Sequence, residues 1–256
     1  MVPAISGRVE QLAEMHNTLW QIFEPGDSLV YSGNYLGNPR QNALGADAIQ
    51  DIRMFTRALV TEGRADRNQI VMLRGINEEL IQKALQIQFA NKPEDVLIWM
   101  GQKGLGPLLE HYGTSLHAGL SACRGGTMSL TRWTCDLREA IRQTAEHEFT
   151  YNRLQRAAVT HDEYGNAQSL FVHAGLDDRR PLHAQKDAFW WGAHSFDQMQ
   201  QHYNPFKCVV RGHDPLARGP SYTDYKVSVD ETFEGNSPLA LSNLTSLGQI
   251  NAIYHF

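Results

Sequence analysis

The chain reads Ser169-Leu170-Phe171-Val172-His173-Ala174-Gly175 at about two thirds of its length. A short apolar run that ends in a histidine and a glycine is typical of a buried strand followed by a tight turn. The same arrangement recurs at Lys207-Cys208-Val209-Val210-Arg211-Gly212-His213. In α/β folds, polar residues that directly follow a strand lie at its carboxyl end, where such folds place their sites.

Three further turns of this kind lie upstream. They are Ser6-Gly7 after Ala4-Ile5, Gly33-Asn34 after Ser28–Ser32, and Gly75-Ile76-Asn77 after the strand Gln69–Leu73, which its apolar residues predict to be buried. Helical spacing of apolar residues separates these strands and predominates between Trp99 and about Gln155. No internal repeat or linker-like stretch interrupts the chain. The pattern predicts an α/β fold in a single domain, 1–256, with one site where the turns meet.

Composition narrows the classes of function. The net charge of −5 argues against a nucleic-acid partner. No apolar run is long enough to span a membrane, and the first residues lack the pattern of a secretory signal, so we expect a cytoplasmic protein. Three scattered cysteines predict neither a disulfide framework nor a zinc site.

In order and spacing, the five turns resemble the motifs of the calcineurin-like metallophosphoesterases. The nearest branch holds bacterial serine/threonine protein phosphatases and diadenosine-tetraphosphatase-like hydrolases. That family reads G-D-x-H-G-R, G-D-Y-x-D-R-G-P, R-G-N-H-E, V-H-A-G and G-H-x-P. The corresponding stretches here are Pro3–Arg8, Gly33–Pro39, Arg74–Glu78, Val172–Gly175 and Gly212–Pro215. The resemblance implies a four-layer sandwich in which central mixed β-sheets are flanked by helices.

The resemblance also locates the positions at which the family binds two metal ions and the phosphate. Two of the nine positions match, namely His173 and His213. The other seven differ: Ala4 and Asn34 stand where the family has metal-binding aspartates, Ser6 for a histidine ligand, Ile76 for an asparagine ligand, Asn77 for the general-acid histidine, Gly37 for the aspartate that orients it, and Asn38 for the phosphate-binding arginine.

A pair of divalent cations requires anionic ligands to offset their mutual repulsion. Neither Ala4 nor Asn34 carries a charge, and Asn77 cannot donate a proton at neutral pH. The resemblance therefore implies a pseudophosphatase without metal, cofactor or catalytic activity. We expect it to act as a regulatory or scaffolding module that binds a protein partner or associates with itself.

Three alternatives remain open at this stage. His173 and His213 could hold a single metal ion and support residual phosphoesterase activity, or could be buried, hydrogen-bonded residues of their turns. Arg40, Arg74 and Arg211 are candidates for binding a phosphorylated ligand without metal, as in a sensor, although solvation of Arg40 at the surface and structural hydrogen bonding by Arg74 are the commoner roles. Trp190 and Trp191 are candidates for contact with a partner, although core packing is the commoner role of at least one of them.

Overall fold

The computed structural model describes residues 1–37, 47–232 and 238–256. Within these ranges the chain is mixed α/β, as its alternation of strands and helical spacing predicts. The helices are α1 Val9–Ile22, α2 Ala48–Thr61, α3 Ile76–Ala84, α4 Pro93–Gln102, α5 Leu105–Glu110, α6 Leu116–Arg124, α7 Thr127–Gln143, α8 His147–Tyr151, α9 Ala188–Trp191 and α10 Ala193–Gln198. The strands are β1 Leu29–Tyr31, β2 Ile70–Met72, β3 Ala158–His161, β4 Ala167–Val172, β5 Cys208–Arg211, β6 Ser221–Tyr222, β7 Lys226–Ser228, β8 Ala240–Leu244 and β9 Ile250–His255.

The first sheet is built around the parallel pair β1–β2. Val2 pairs with β1, since its N–H donates to Val30 O over 2.8 Å, and Met1 O accepts from Ser242 N of β8 over 3.0 Å. Strand β9 then pairs antiparallel with β8. The amino-terminal segment therefore connects the β1–β2 pair to the β8–β9 hairpin.

The second sheet has the strand order β3-β4-β5-β7-β6. Its central strands β4, β5 and β7 run parallel, and the outer strands β3 and β6 are antiparallel to their neighbours. Because the central strands are parallel, Val172, Arg211 and Ser228 lie in one row. The residues that follow them therefore all lie at the carboxyl ends of the strands.

Three hydrophobic clusters hold these layers together. One is shared by both sheets and includes Val30, Leu73, Phe171, Val210 and Val227. The largest packs helices α1 to α7 against the first sheet, and the third packs α9 and α10 against β4 and β5. The coarse prediction of an α/β fold with mixed sheets is confirmed.

Strand β2 differs from its prediction as a buried strand. All three of its residues are half-buried, because β2 lies at the edge of its sheet. On its outer side it contacts Gln155, whose N–H donates to Met72 O over 2.8 Å. An apolar sequence indicates that a strand is present, but burial depends on how many strands lie beside it.

The structure also bears on membrane insertion. No helix in the described part of the chain combines the length and the hydropathy that a membrane span requires.

Candidate functional site at the carboxyl ends of the strands

The five turns meet at one edge of the fold. We call this region the rim and define it as residues 4–7, 33–37, 74–78, 172–175 and 212–214. Backbone hydrogen bonds join the turns directly: Ala4 N donates to Gly212 O over 2.8 Å, Ser6 N to Asn34 O over 2.7 Å, and His213 N to His173 O over 2.9 Å. The turns that the sequence predicts to meet at one edge therefore do lie together.

Glycines allow the second and third turns to approach closely. Gly33 has a φ of 107°, and a Cβ atom placed on it would lie 2.4 Å from Gly75 N. A Cβ atom on Gly75 would lie 2.2 Å from Asn34 N. Only glycine leaves room for this backbone contact, and at Gly33 it also suits the left-handed conformation.

Glu78 fixes the same two turns to each other. Its carboxylate is fully buried and accepts hydrogen bonds from the N–H groups of Asn34, Tyr35 and Gly75, each over 2.9 Å. Burial raises the pKa of Glu78, although the backbone hydrogen bonds act in the opposite direction. This glutamate matches the end of the R-G-N-H-E motif, yet its sequence position gives no sign of this role.

The amide side chains of Asn34 and Asn77 are also engaged within the rim. Asn34 is buried at a φ of 54°, and its Oδ1 accepts from Asn77 N over 3.0 Å. Asn77 Nδ2 donates to Leu36 O over 2.6 Å. Two residues that stand at metal and acid positions of the family's motifs thus hold the turns together.

The remaining residues on the first-sheet side offer few atoms that could bind a metal ion. Ala4 is buried, Ser6 is exposed at a φ of 49°, and Ile76 is half-buried between the two helical clusters. Gly37 contributes its carbonyl oxygen, which lies 2.8 Å from His111 Nε2. Asn38 lies outside the described residues.

His173 is the most buried polar group on the second-sheet side. Its Nδ1 lies 2.6 Å from Ser32 O. Because a carbonyl oxygen can only accept, Nδ1 carries the proton and Nε2 carries a lone pair. Burial, and secondarily the neighbouring His213, lower the pKa of His173 to about 3. Nε2 is buried and has no hydrogen-bond partner in the described part of the chain.

His213 lies beside His173, with 5.0 Å between the ring centres. Asp230 orients it: its Oδ2 lies 3.2 Å from His213 Nδ1 and accepts from Asp214 N over 2.8 Å. Burial acts to raise the pKa of Asp230, but these hydrogen bonds, together with one from Thr232, outweigh it and lower the pKa to about 2. The sequence did not identify Asp230, although it too follows an apolar strand.

These residues do not fit the two-metal centre of the family. The rim offers two imidazoles. The side-chain oxygen of Asn34 already accepts a hydrogen bond from Asn77 N, and the side chain of Ala4 has no atom that could bind a metal ion. Among the described residues, no group of three or more His, Cys, Asp or Glu side chains is placed to hold a metal ion. A carboxylate between two cations, which such a centre requires, is missing from the sequence at these positions.

The two candidate arginines that the structure describes, Arg74 and Arg211, are both engaged by carboxylates. Arg211 is buried, and its nitrogens pair with Asp197 over 3.0 Å, Asp214 over 3.1 Å and the Ser228 hydroxyl. Arg74 pairs with Glu79 over 3.2 Å. Arg40 lies outside the described residues. Arg211 therefore has a structural role and is not available to a ligand.

The two adjacent tryptophans have different environments. Trp190 is buried beside α10, and its Nε1 donates to Arg74 O over 2.7 Å. Trp191 is half-buried and packs edge to face against the partly exposed Trp99, with 5.4 Å between ring centres. Trp99 and Trp191 thus form the aromatic pair at this surface, and Trp190 belongs to the core.

Comparisons of the chain with protein-family models, with curated proteins and with solved structures found no match. The resemblance to the metallophosphoesterases accordingly depends on the order and spacing of the five motifs in the sequence.

Proposed function

We propose that this protein is a pseudophosphatase, with the four-layer metallophosphoesterase sandwich serving as a protein-binding regulatory or scaffolding module. Two observations support this fold assignment. The two mixed sheets share one apolar cluster and carry helical clusters on their outer faces. The five turns also converge at one rim in the order of the family's motifs.

One hydrogen bond carries the functional part of the proposal. Asn34 stands where the family has the aspartate that bridges two metal ions, and its Oδ1 is bound to Asn77 N at 3.0 Å. The other aspartate position holds the buried methyl group of Ala4. Both positions contribute to the stability of the turns, and neither supplies charge to a cation.

The aromatic pair Trp99–Trp191 is the surface that best suits a protein partner. Both rings are partly accessible, and aromatic side chains are enriched among the residues that dominate binding at interfaces. Self-association would use the same surface.

The first test is hydrolysis of an aryl phosphate with added manganese, run beside the His173→Ala and His213→Ala variants. We expect the parent protein to show no turnover above either variant. Turnover that disappears in both variants would refute the proposal.

A second test addresses binding. Proteins captured by the parent should be lost with Trp191→Ala and kept with Tyr164→Ala, which removes an exposed aromatic ring from the turn between β3 and β4. Equal capture by both variants would exclude the aromatic pair as the binding surface.

One observation favours a different function, a phosphoesterase that uses a single metal ion. The buried lone pair of His173 Nε2 lies beside the ring of His213 and has no hydrogen-bond partner among the described residues. This alternative requires metal-dependent turnover that is lost when either histidine is replaced. A metal-free sensor of phosphorylated ligands has less support, because Arg211 is engaged by two carboxylates.

A further inference from the structure

A groove runs along the outer edge of β2, apart from the residues that resemble the phosphatase motifs. It encloses about 680 Å³ and is lined by α2, the turn at 67–68, β2 and residues 149–155. Four of its lining side chains are arginines: Arg53, Arg57, Arg67 and Arg153.

The backbone along this groove has hydrogen-bonding groups that point away from the sheet. Leu73 N donates inward to Tyr31 O, whereas Arg74 N donates outward to Gln155 O, each over 2.8 Å. Because successive residues of a strand alternate in direction, the N–H groups of Ile70 and Met72 point outward as well. Gln155 forms an isolated bridge at the end of this edge and occupies Met72 O and Arg74 N, but no further strand pairs with β2 here within the described ranges. The N–H groups of Ile70 and Met72 and the carbonyl oxygen of Ile70 remain for a partner strand. An open edge of this kind can accept another strand.

The arginines are held close to this edge with little negative charge beside them. The guanidinium groups of Arg53 and Arg153 each lie 4.2 Å from the centre of the Phe149 ring. Arg53 and Arg57 share one carboxylate, Glu146, at 3.3 and 2.8 Å.

The remaining two arginines, Arg67 and Arg153, are exposed and make no ion pair with a described residue. Four arginines against one glutamate leave a surplus of three positive charges, on a chain whose net charge is −5. The positive charge is therefore a local property of the groove.

We propose that this groove binds an extended acidic peptide segment, which adds to the edge of β2 as a further strand. Its backbone pairs with the outward groups of β2, and every second side chain, a carboxylate, reaches the arginines. Charge complementarity selects an acidic partner, and the open edge selects an extended one. The proposal goes beyond the function assigned to the rim and does not depend on whether the rim is catalytic.

The test uses the full chain and a fluorescein-labelled octapeptide of alternating aspartate and threonine, followed by fluorescence anisotropy at low ionic strength. We expect saturable binding that weakens about tenfold in the variant R67Q/R153Q and weakens further as salt is added. The matched control is R132Q/R179Q, which removes two other exposed arginines and should change the affinity less than about twofold.

Two further peptides separate strand addition from binding of charge alone. An N-methylated version of the same octapeptide keeps its carboxylates but cannot donate backbone hydrogen bonds, and we expect it to bind at least tenfold more weakly. A lysine–threonine octapeptide should not bind. Saturation with the acidic peptide should also protect the amide of Met72 from hydrogen exchange.

Three results would overturn the proposal. They are no binding of the acidic peptide, equal binding by R67Q/R153Q and the parent, and equal binding of the N-methylated and unmodified peptides. The last of these, with full competition by tripolyphosphate, would assign the groove to small polyanions instead.

Discussion

The two halves of the rim share one geometry but differ in chemistry. The first-sheet half comprises the turns at 4–7, 33–37 and 74–78. There the side chains of Glu78, Asn34 and Asn77 form hydrogen bonds between turns, while Arg74 Nε is buried without a hydrogen-bond partner among the described residues. The second-sheet half comprises the turns at 172–175 and 212–214 with Asp230. There one nitrogen, His173 Nε2, has no partner among the described residues.

In both halves, hydrogen bonds between the turns help to hold them together. In the first-sheet half, Glu78 and Asn34 provide the contacts between turns. In the second-sheet half, His173 binds a carbonyl of the first sheet and Asp230 holds His213, so these polar residues also stabilise the fold. The carbonyl bound by His173 Nδ1 leaves Nε2 free, an arrangement that metal-binding histidines share, so such a partner does not by itself separate the two roles.

The largest loss of stability is expected from a substitution in the first-sheet half. Glu78→Ala leaves three buried N–H groups without an acceptor, and at 1–3 kcal/mol for each group the free energy of unfolding should fall by roughly 5 kcal/mol or more. Urea denaturation measures it, with the exposed Glu139→Ala as a control expected to change stability by less than about 0.5 kcal/mol. A loss below about 1 kcal/mol for Glu78→Ala would show that the carboxylate does not hold the turns.

The second-sheet half should determine how stability depends on pH. The pKa of His173 is about 3 in the folded protein and 6.5 ordinarily, so below pH 6.5 the unfolded chain binds a proton that the folded protein does not. The free energy of unfolding should fall as the pH drops from 6.5 to 3, by up to roughly 4 kcal/mol in total. Asp230, with a pKa of about 2 instead of 3.8, adds a further loss between pH 3.8 and 2.

The control for this pH dependence is His173→Gln, whose side chain can still donate to Ser32 O but does not titrate. Its stability should vary less between pH 6.5 and 3 than that of the parent protein. Superimposable profiles would mean that His173 binds a proton equally well in the folded and the unfolded protein and does not contribute to the pH dependence.

A smaller loss of stability is expected at Asn34, where the contribution of the hydrogen bond can be separated from that of the positive φ. Asn34→Ala removes the acceptor of the Asn77 N–H group and places alanine at a positive φ, so we expect a loss of about 2 kcal/mol. Asn34→Gly removes the acceptor without backbone strain and should cost about 1 kcal/mol. Thermal or urea unfolding measures both losses. If Asn34→Gly is as stable as the parent, the Asn34 side chain does not help to hold the rim together.

The smallest effect is expected from added metal. If the two imidazoles do not suffice as a site, millimolar manganese or zinc should shift the Tm by less than about 1 °C, because a ligand stabilises a protein only by binding the folded state. A larger increase in Tm that is lost in His213→Ala would show that the two histidines bind the metal and would favour the single-metal alternative.

Sequence reasoning succeeded where the determining contacts are local. A strand that ends in a polar turn places that turn at the strand's carboxyl end, so the convergence of His173 and His213 followed from two short stretches. The helical middle of the chain followed from spacing alone and is confirmed by α4 to α8.

Contacts between distant residues could not be predicted in this way. Glu78 accepts from Asn34, 44 residues away, and the groove combines Arg53 of α2 with Arg153 from the turn that follows α8. Trp190 and Trp191 are neighbours in sequence and type, yet only one is fully buried, because they point to different sides of the short helix α9. The edge position of β2 depends on strand order, which its apolar residues do not encode.

Helix α3 begins at the rim, and its first turn carries the positive end of a helix dipole that in other proteins attracts phosphate. Here Asn34 Oδ1 accepts a hydrogen bond from the N–H group of Asn77, and the carboxylate of Glu78 accepts one from Gly75 N in the same turn. The field of the helix is therefore compensated inside the protein. Among the described residues, the groove at the edge of β2 carries a surplus of positive charge, and we expect an approaching anion to be steered there.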